Sequence, residues 1–217
     1  MARYTYKKQY TWSADIAYIV GLIASDGCLI GDGRHINITS KDIEIINHFR
    51  SILNISSRHF VKQGNLGGTA YHLQFSNVAF YDFLLITGLT PAKSLTMRKL
   101  KVPDLYFKDF MRGYFDGDGS IYGYKDSRWP NSHMFYTEFI SGSLEFLSWI
   151  KDSSQRLMIT TNGTMKRGPR AFVLSYAKAD SRGLFKAFYG DLNAPKLTRK
   201  YDKFVAFLQR DPYAVKE

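Results

Sequence analysis

The sequence predicts a mixed α+β protein made of two similar halves, and three observations carry that expectation. A nine-residue segment recurs: residues 19–27 read IVGLIASDG and residues 111–119 read MRGYFDGDG. Both place Gly third, Asp eighth and Gly ninth, so Asp26 and Asp118 stand 92 residues apart. A second echo pairs YHLQFS (71–76) with FVLSYA (172–177). Each is followed by an amphipathic stretch, a Gly, and then Pro and Lys: Gly88, Pro91 and Lys93 in one copy, Gly190, Pro195 and Lys196 in the other. Third, both halves run through the same succession of helical and alternating periods, in the order helix, two strands, helix, two strands, helix.

The elements follow from period and punctuation. Ser13 is placed to cap a helix over residues 14–25. Cys28 to Ile30 and Arg34 to Thr39 alternate as strands about the turn Gly31-Asp32-Gly33. Ser40 is expected to cap a helix over residues 41–53, whose apolar face is Ile43, Ile46, Phe49, Ile52 and Leu53. Residues 58–63 and 69–76 form a second hairpin about a Gly-rich turn, and a helix over residues 77–86 closes the unit. In the second half Asp104 is expected to cap the helix ending at Gly117. Strands at 120–124 and 134–140, a helix at 143–157, strands at 164–167 and 171–177 and a helix at 179–189 repeat the order. A last helix, residues 198–209, has no counterpart in the first half. The halves are therefore drawn as residues 1–102, with an N-terminal extension over 1–12, and residues 103–217.

Charge narrows the function. Lys plus Arg number 30 against 19 Asp plus Glu, a net +11. The excess is shared, +6 in residues 1–102 and +5 in 103–217, so the positive field belongs to the folded body and favours a polyanion, nucleic acid first. The single cysteine, Cys28, excludes an internal disulfide and a cysteine zinc cluster. MARYTYKKQYTW lacks the apolar core of a secretion signal, and no apolar run is long enough to span a bilayer. A soluble intracellular protein, in a prokaryote or an organelle and not bound to a membrane, is expected.

The paired motif has a physical logic. Gly21 and Gly113 fall inside helical stretches, where each costs about 1 kcal/mol relative to Ala. Gly21 with Ser25, and Gly113 with Gly117, make smooth stripes that let two helices approach closely. Such an approach brings Asp26 and Asp118 together at the helix ends. Two carboxylates beside the partial negative charge of two C-termini repel, and a hard divalent cation such as Mg²⁺ relieves this while using free carbonyls as ligands. Such a site in a basic protein suggests phosphodiester hydrolysis.

At these residues the chain resembles the LAGLIDADG homing endonucleases in their single-chain, two-motif form, over nearly its whole length. The resemblance implies two pseudo-symmetric αββαββα halves, paired motif helices, and two antiparallel sheets forming a saddle over the DNA major groove. It implies that Asp26 and Asp118 hold the metal, with the carbonyls of Ser25 and Gly117 as further ligands. It points to Lys93 and Lys196, in the Pro-then-Lys loops, as the basic residues near the scissile phosphates. Ser40 and Ser141 stand where a longer polar side chain often orders water. Ala24 departs from the motif where Asp116 keeps its Asp. Mg²⁺ is the expected cofactor, with Mn²⁺ able to substitute and Ca²⁺ able to bind without supporting cleavage. A monomer that cuts both strands of a long site and leaves 3′ overhangs is implied. Base readout is expected from outward strand residues: Arg34, Asn37, Lys62, His72 and Gln74 in the first half, and Tyr122, Tyr124, Lys125, Arg128, Lys166, Arg167 and Arg170 in the second. An RNA maturase acting on intron RNA and a non-cleaving DNA-binding regulator are the alternatives on the same fold.

Overall fold

The computed structural model describes residues 9–63, 68–125, 127 and 133–210. Its first half runs α1 (Ala14–Asp26), β1 (Gly27–Leu29), β2 (His35–Ser40), α2 (Ile43–Leu53), β3 (Phe60–Gln63), β4 (Thr69–Ser76) and α3 (Val78–Thr87). The second runs α4 (Phe107–Asp118), β5 (Gly119–Lys125), β6 (His133–Ser141), α5 (Leu144–Arg156), β7 (Thr164–Arg167), β8 (Phe172–Tyr176) and α6 (Lys178–Tyr189), followed by α7 (Thr198–Gln209). Two four-stranded antiparallel sheets result, in the orders β1-β2-β4-β3 and β5-β6-β8-β7. The α+β class and the doubled order of elements are as the repeat predicts. Among the described residues no helix is long and apolar enough to cross a membrane.

Each sheet is two-faced because its strands alternate. In the first, Ile36, Ile38, Leu73 and Phe75 are buried with Ile45 and Phe49 of α2 and Phe80 and Leu84 of α3. In the second, Phe135, Phe139, Leu174 and Tyr176 meet Phe146 and Ile150 of α5 and Leu184 and Phe188 of α6. Full burial of such side chains stabilises by about 1.5–3 kcal/mol each. The opposite faces carry Asn37, His72 and Gln74 in the first sheet and Ser120, Tyr122, Glu138 and Lys166 in the second, among others. The turn before β2 closes on Asp32, whose carboxylate accepts from the backbone N–H groups of Arg34 (3.1 Å) and His35 (3.0 Å).

The caps depart from expectation in two places. Ser13 caps α1, accepting from the N–H of Ile16, and Asn77 and Ser143 cap α3 and α5 in the same way. Ser40 does not cap α2. It ends β2, its Oγ accepts from the N–H of Asp42 at 3.1 Å, and the helix starts at Ile43 instead of Lys41. Asp104 does not cap α4 either. It opens a 3₁₀ turn, Asp104–Tyr106, and its carboxylate takes both guanidinium arms of Arg156 at 2.6 and 2.7 Å. A bidentate ion pair replaces the weaker cap bond. Residues 1–8 of the expected extension, 64–67 of the Gly-rich turn, and Arg128 lie outside the described residues.

Candidate active site

α1 and α4 pack against each other along their glycines. A methyl group at Gly21 would lie 2.2 Å from the carbonyl oxygen of Phe110, and one at Gly113 would lie 2.0 Å from that of Tyr18. Both separations are far inside van der Waals contact, so the backbones meet where only glycine fits, which accounts for two helix-weakening residues. The same approach aligns the helix ends. A methyl at Gly117 would meet Ser25 Oγ, and also Asp26 Oδ2 at 3.0 Å. The Asp26 carboxylate thus lies against the backbone of the residue before Asp118.

Burial, then the charge of Asp118, pushes Asp26 up from 3.8 to about 6. Desolvation by the side chains packed around it raises Asp118 as well. Asp26 is half-buried and Asp118 is exposed, so the pair opens to solvent on one side. Beside Asp26 a cavity of about 220 Å³ is lined by Thr39, Ser40, Lys41, Asp42, Gly117 and Arg199, among others.

A buried lysine stands on each side. Lys93 donates to the carbonyl oxygen of Gly27 at 2.7 Å, and Lys200 to that of Gly119 at 2.6 Å. Gly27 and Gly119 are the ninth residues of the two motif copies, so Lys93 and Lys200 are counterparts. Lys196 lies elsewhere, with its ammonium on the Leu192 carbonyl (2.8 Å) and 5.2 Å from the Tyr201 ring centre. The Lys196 expectation is corrected on this point: Pro195 and Pro91 match, but the chain enters α7 before its lysine reaches the site. The signal was present. Leu197, Lys200, Tyr201 and Phe204 follow helical spacing, which puts Lys200 on the apolar face of α7. Burial lowers both lysines, Lys200 to about 8. Each in turn holds the carboxylates below what burial alone would give.

Asp116, which keeps its motif Asp, is not part of the open pair. It is 1 % exposed and accepts from Tyr18 Oη and from the N–H of Leu197, both at 2.8 Å. Burial raises it to about 6. Beside it the buried Arg112 pairs with Asp109 (2.8 Å) and donates to the carbonyls of Pro195 and Phe188. Together they clamp the segment that delivers Lys200. The sequence marks Asp116 only as a motif position and Arg112 not at all, since a charged side chain in a basic protein reads as surface.

The other site residues separate. Gly117 O, expected as a metal ligand, accepts from Lys200 at 3.0 Å and keeps a second lone pair. Ser40 and Ser141 are 8 % and 6 % exposed, and their hydroxyls accept from the N–H groups of Asp42 and Ser143. Both are spent on matching turns, although Ser40 still borders the cavity. Asn37, His72, Gln74 and Lys62 lie on the outer face of the first sheet, and Tyr122, Tyr124 and Lys166 on that of the second. Arg34 and Arg170 occupy exposed turns, and Lys125 ends β5 exposed. Arg167 is opposite Phe172 and 6.0 Å over its ring, on the helix side of the sheet, which removes it from the outer face. Strand alternation turns it away from Lys166.

The donor set suits a divalent cation of the hard kind. Two carboxylates and nearby carbonyls are oxygen ligands, and among the described residues no cluster of three or more His, Cys, Asp or Glu competes. A site with two protein carboxylates leaves positions for water and phosphate oxygens, as Mg²⁺ prefers.

No protein-family model matches the chain, and no curated protein does. Solved structures do match. The homing endonuclease I-WcaI bound to its DNA recognition sequence superposes with a TM-score of 0.59 at 14 % identity, over 89 % of this chain and 88 % of that one. The I-LtrWI LAGLIDADG homing endonuclease bound to target DNA gives 0.58 at 10 % identity, over 89 % of both chains. The N-terminal LAGLIDADG domain of DUF199/WhiA gives 0.57 at 14 % identity, over 89 % and 88 %. The chain has the LAGLIDADG fold.

Proposed function

We propose that this chain is a single-chain LAGLIDADG homing endonuclease that hydrolyses both strands of a long double-stranded DNA site and leaves 3′ overhangs. One observation carries the reading: two carboxylates, Asp26 and Asp118, stand at the ends of packed helices on an open surface, flanked by the buried ammonium groups of Lys93 and Lys200. The fold neighbours I-WcaI and I-LtrWI are homing endonucleases bound to DNA, which supports duplex DNA as the partner. Asp26 and Asp118 would hold Mg²⁺, which supplies Lewis acidity and lowers the pKa of bound water.

The chain's own residues do the rest. Helix pairing fixes the carboxylates in one geometry, so little reorganisation remains at the moment of reaction. The lysines place positive charge where phosphate charge develops. The outer sheet faces hold the duplex, with phosphate contacts setting its position and strand side chains reading bases. Monomeric action follows from one chain supplying both carboxylates.

The test is incubation with a randomised duplex library in Mg²⁺, in Ca²⁺ and in EDTA. Cut duplex in Mg²⁺ alone, abolished by Asp26→Asn or Asp118→Asn, is expected. Selection of duplex without cutting in Mg²⁺ contradicts the enzyme and fits a regulator, and retention of structured RNA over duplex fits a maturase.

A further inference from the structure

Strand register makes the outer faces of the two sheets directly comparable. Cys28, Asn37 and Gln74 lie side by side across β1, β2 and β4. At the matching places of β5, β6 and β8 stand Ser120, Glu138 and Ser175. Asn37 and Glu138 are therefore counterparts, an amide in one half and a carboxylate in the other.

Glu138 is anomalous. It is the one acidic side chain on either outer strand face among the described residues, in a chain of net charge +11. A carboxylate facing DNA repels phosphate and costs affinity unless a base occupies it. It is also held in place. Tyr122 donates from its hydroxyl to Glu138 Oε1 at 3.1 Å. Tyr122 is stacked on Tyr136 (5.5 Å, 17°), and Tyr124 stacks on the same ring (6.1 Å, 5°). Three stacked rings fix the hydroxyl that orients the carboxylate. One phenol bond leaves a carboxylate with several unused lone pairs. Those lone pairs accept only. In the major groove the matching donor is an exocyclic amine, and carboxylates pair with cytosine N4. Guanine O6 and thymine O4 are acceptors and are repelled, and adenine sets the acceptor N7 beside its N6 donor, which opposes the second carboxylate oxygen.

Resting on the DNA reading above, we propose that Glu138 is a specificity-determining residue that selects cytosine in the half-site bound by the second half, with Tyr122 as its positioning residue. The two half-sites are then unlike at the matching position, because Asn37 presents a neutral amide there, which lacks the carboxylate's charge and carries N–H donors.

The experiment is selection from a randomised duplex pool in Ca²⁺ by the full chain and by Glu138→Gln, Tyr122→Phe and Asn37→Ala, each confirmed folded by its thermal midpoint. Asn37→Ala marks the positions read by the first half. The expected wild-type pool favours cytosine over thymine about tenfold at one position in the other half-site. Glu138→Gln reduces that preference to within about twofold and leaves the Asn37-marked positions alone. Tyr122→Phe weakens it partway. An unchanged cytosine preference in folded Glu138→Gln, or an equal loss at every position, overturns the proposal. A wild-type pool with no enriched sequence overturns the DNA reading and this inference together.

Discussion

The two lysines that flank the carboxylate pair occupy equivalent places and are held very differently. Lys93 reaches the site from a 3₁₀ turn, Lys93–Leu95, and among the described residues makes one hydrogen bond, to Gly27 O. Lys200 comes from the first turn of α7 and donates to three carbonyls, those of Phe115, Gly117 and Gly119, at 2.5, 3.0 and 2.6 Å. An ammonium has three N–H donors, so Lys200 is saturated by the protein while Lys93 keeps two for other partners. The flanking turns differ in the same way. The first half presents Ser40-Lys41-Asp42, with Asp42 accepting side-on from Nε and Nη2 of Arg199, both at 2.7 Å. The second presents Ser141-Gly142-Ser143, uncharged, with Ser143 donating to Met97 O. A repeated fold can thus hold two similar centres differently: one lysine with donors to spare, the other bracing the C-terminal end of its motif helix.

Asp26→Asn and Asp118→Asn should each lower duplex cleavage roughly a thousandfold, since charge stabilisation at the reacting phosphate is worth several kcal/mol. A single-turnover assay on the selected site checks this, and cutting within tenfold of wild type would contradict it. Gly113→Ala should cost at least about 3 kcal/mol in urea unfolding, because its methyl meets the Tyr18 carbonyl at 2.0 Å and backbone cannot give way cheaply. A loss under 1 kcal/mol would mean that the helices are not so closely paired.

Substitution of the lysines then separates their roles. Lys200→Met removes three charge-assisted hydrogen bonds, although Phe115 O still accepts from the Gly119 N–H, and should cost about 2–3 kcal/mol of stability. Lys93→Met should cost about 1 kcal/mol or less and instead slow the cutting of one strand, leaving nicked product on a gel. Equal stability losses, with no nicked species, would erase the distinction. The smallest effect is expected at the exposed end of α7. Arg199→Ala removes an ion pair whose guanidinium is largely solvated, worth less than about 1 kcal/mol.

Much of this was legible in the sequence, for identifiable reasons. The repeat fixed the pairing of Asp26 with Asp118 because a glycine stripe has few uses besides close helix approach. The sheets were legible because their alternation is regular. Lys200 was not, because Pro-to-Lys spacing holds in the first half and fails in the second, where a helix starts between the two residues. Asp116 and Arg112 were hidden because their burial depends on residues 188–197 folding back over α4. Ser40 was misassigned because a strand end can use the same hydroxyl to close a turn. Glu138 escaped because an acidic side chain opposes the phosphate backbone and is not expected on a DNA-facing strand.

The pair also has a pH signature. Asp26 is raised from 3.8 to about 6, so the native state holds its proton more tightly than the unfolded chain. Its contribution is fully present below pH 3.8 and is lost as pH rises through about 6. Asp26→Asn should therefore stabilise the metal-free protein at pH 7 by about 1–2 kcal/mol after screening, and lose that advantage at pH 4. Thermal unfolding at the two pH values checks the sign.

The shared cation is tested most directly by following the thermal midpoint at pH 7 as Mg²⁺ or Ca²⁺ is added to the wild type, Asp26→Asn and Asp118→Asn. A cation bound between the halves raises the wild-type midpoint with added ion and leaves both variants nearly flat. A rise of wild-type size in either variant would show that one carboxylate suffices, and the two-carboxylate centre would be wrong.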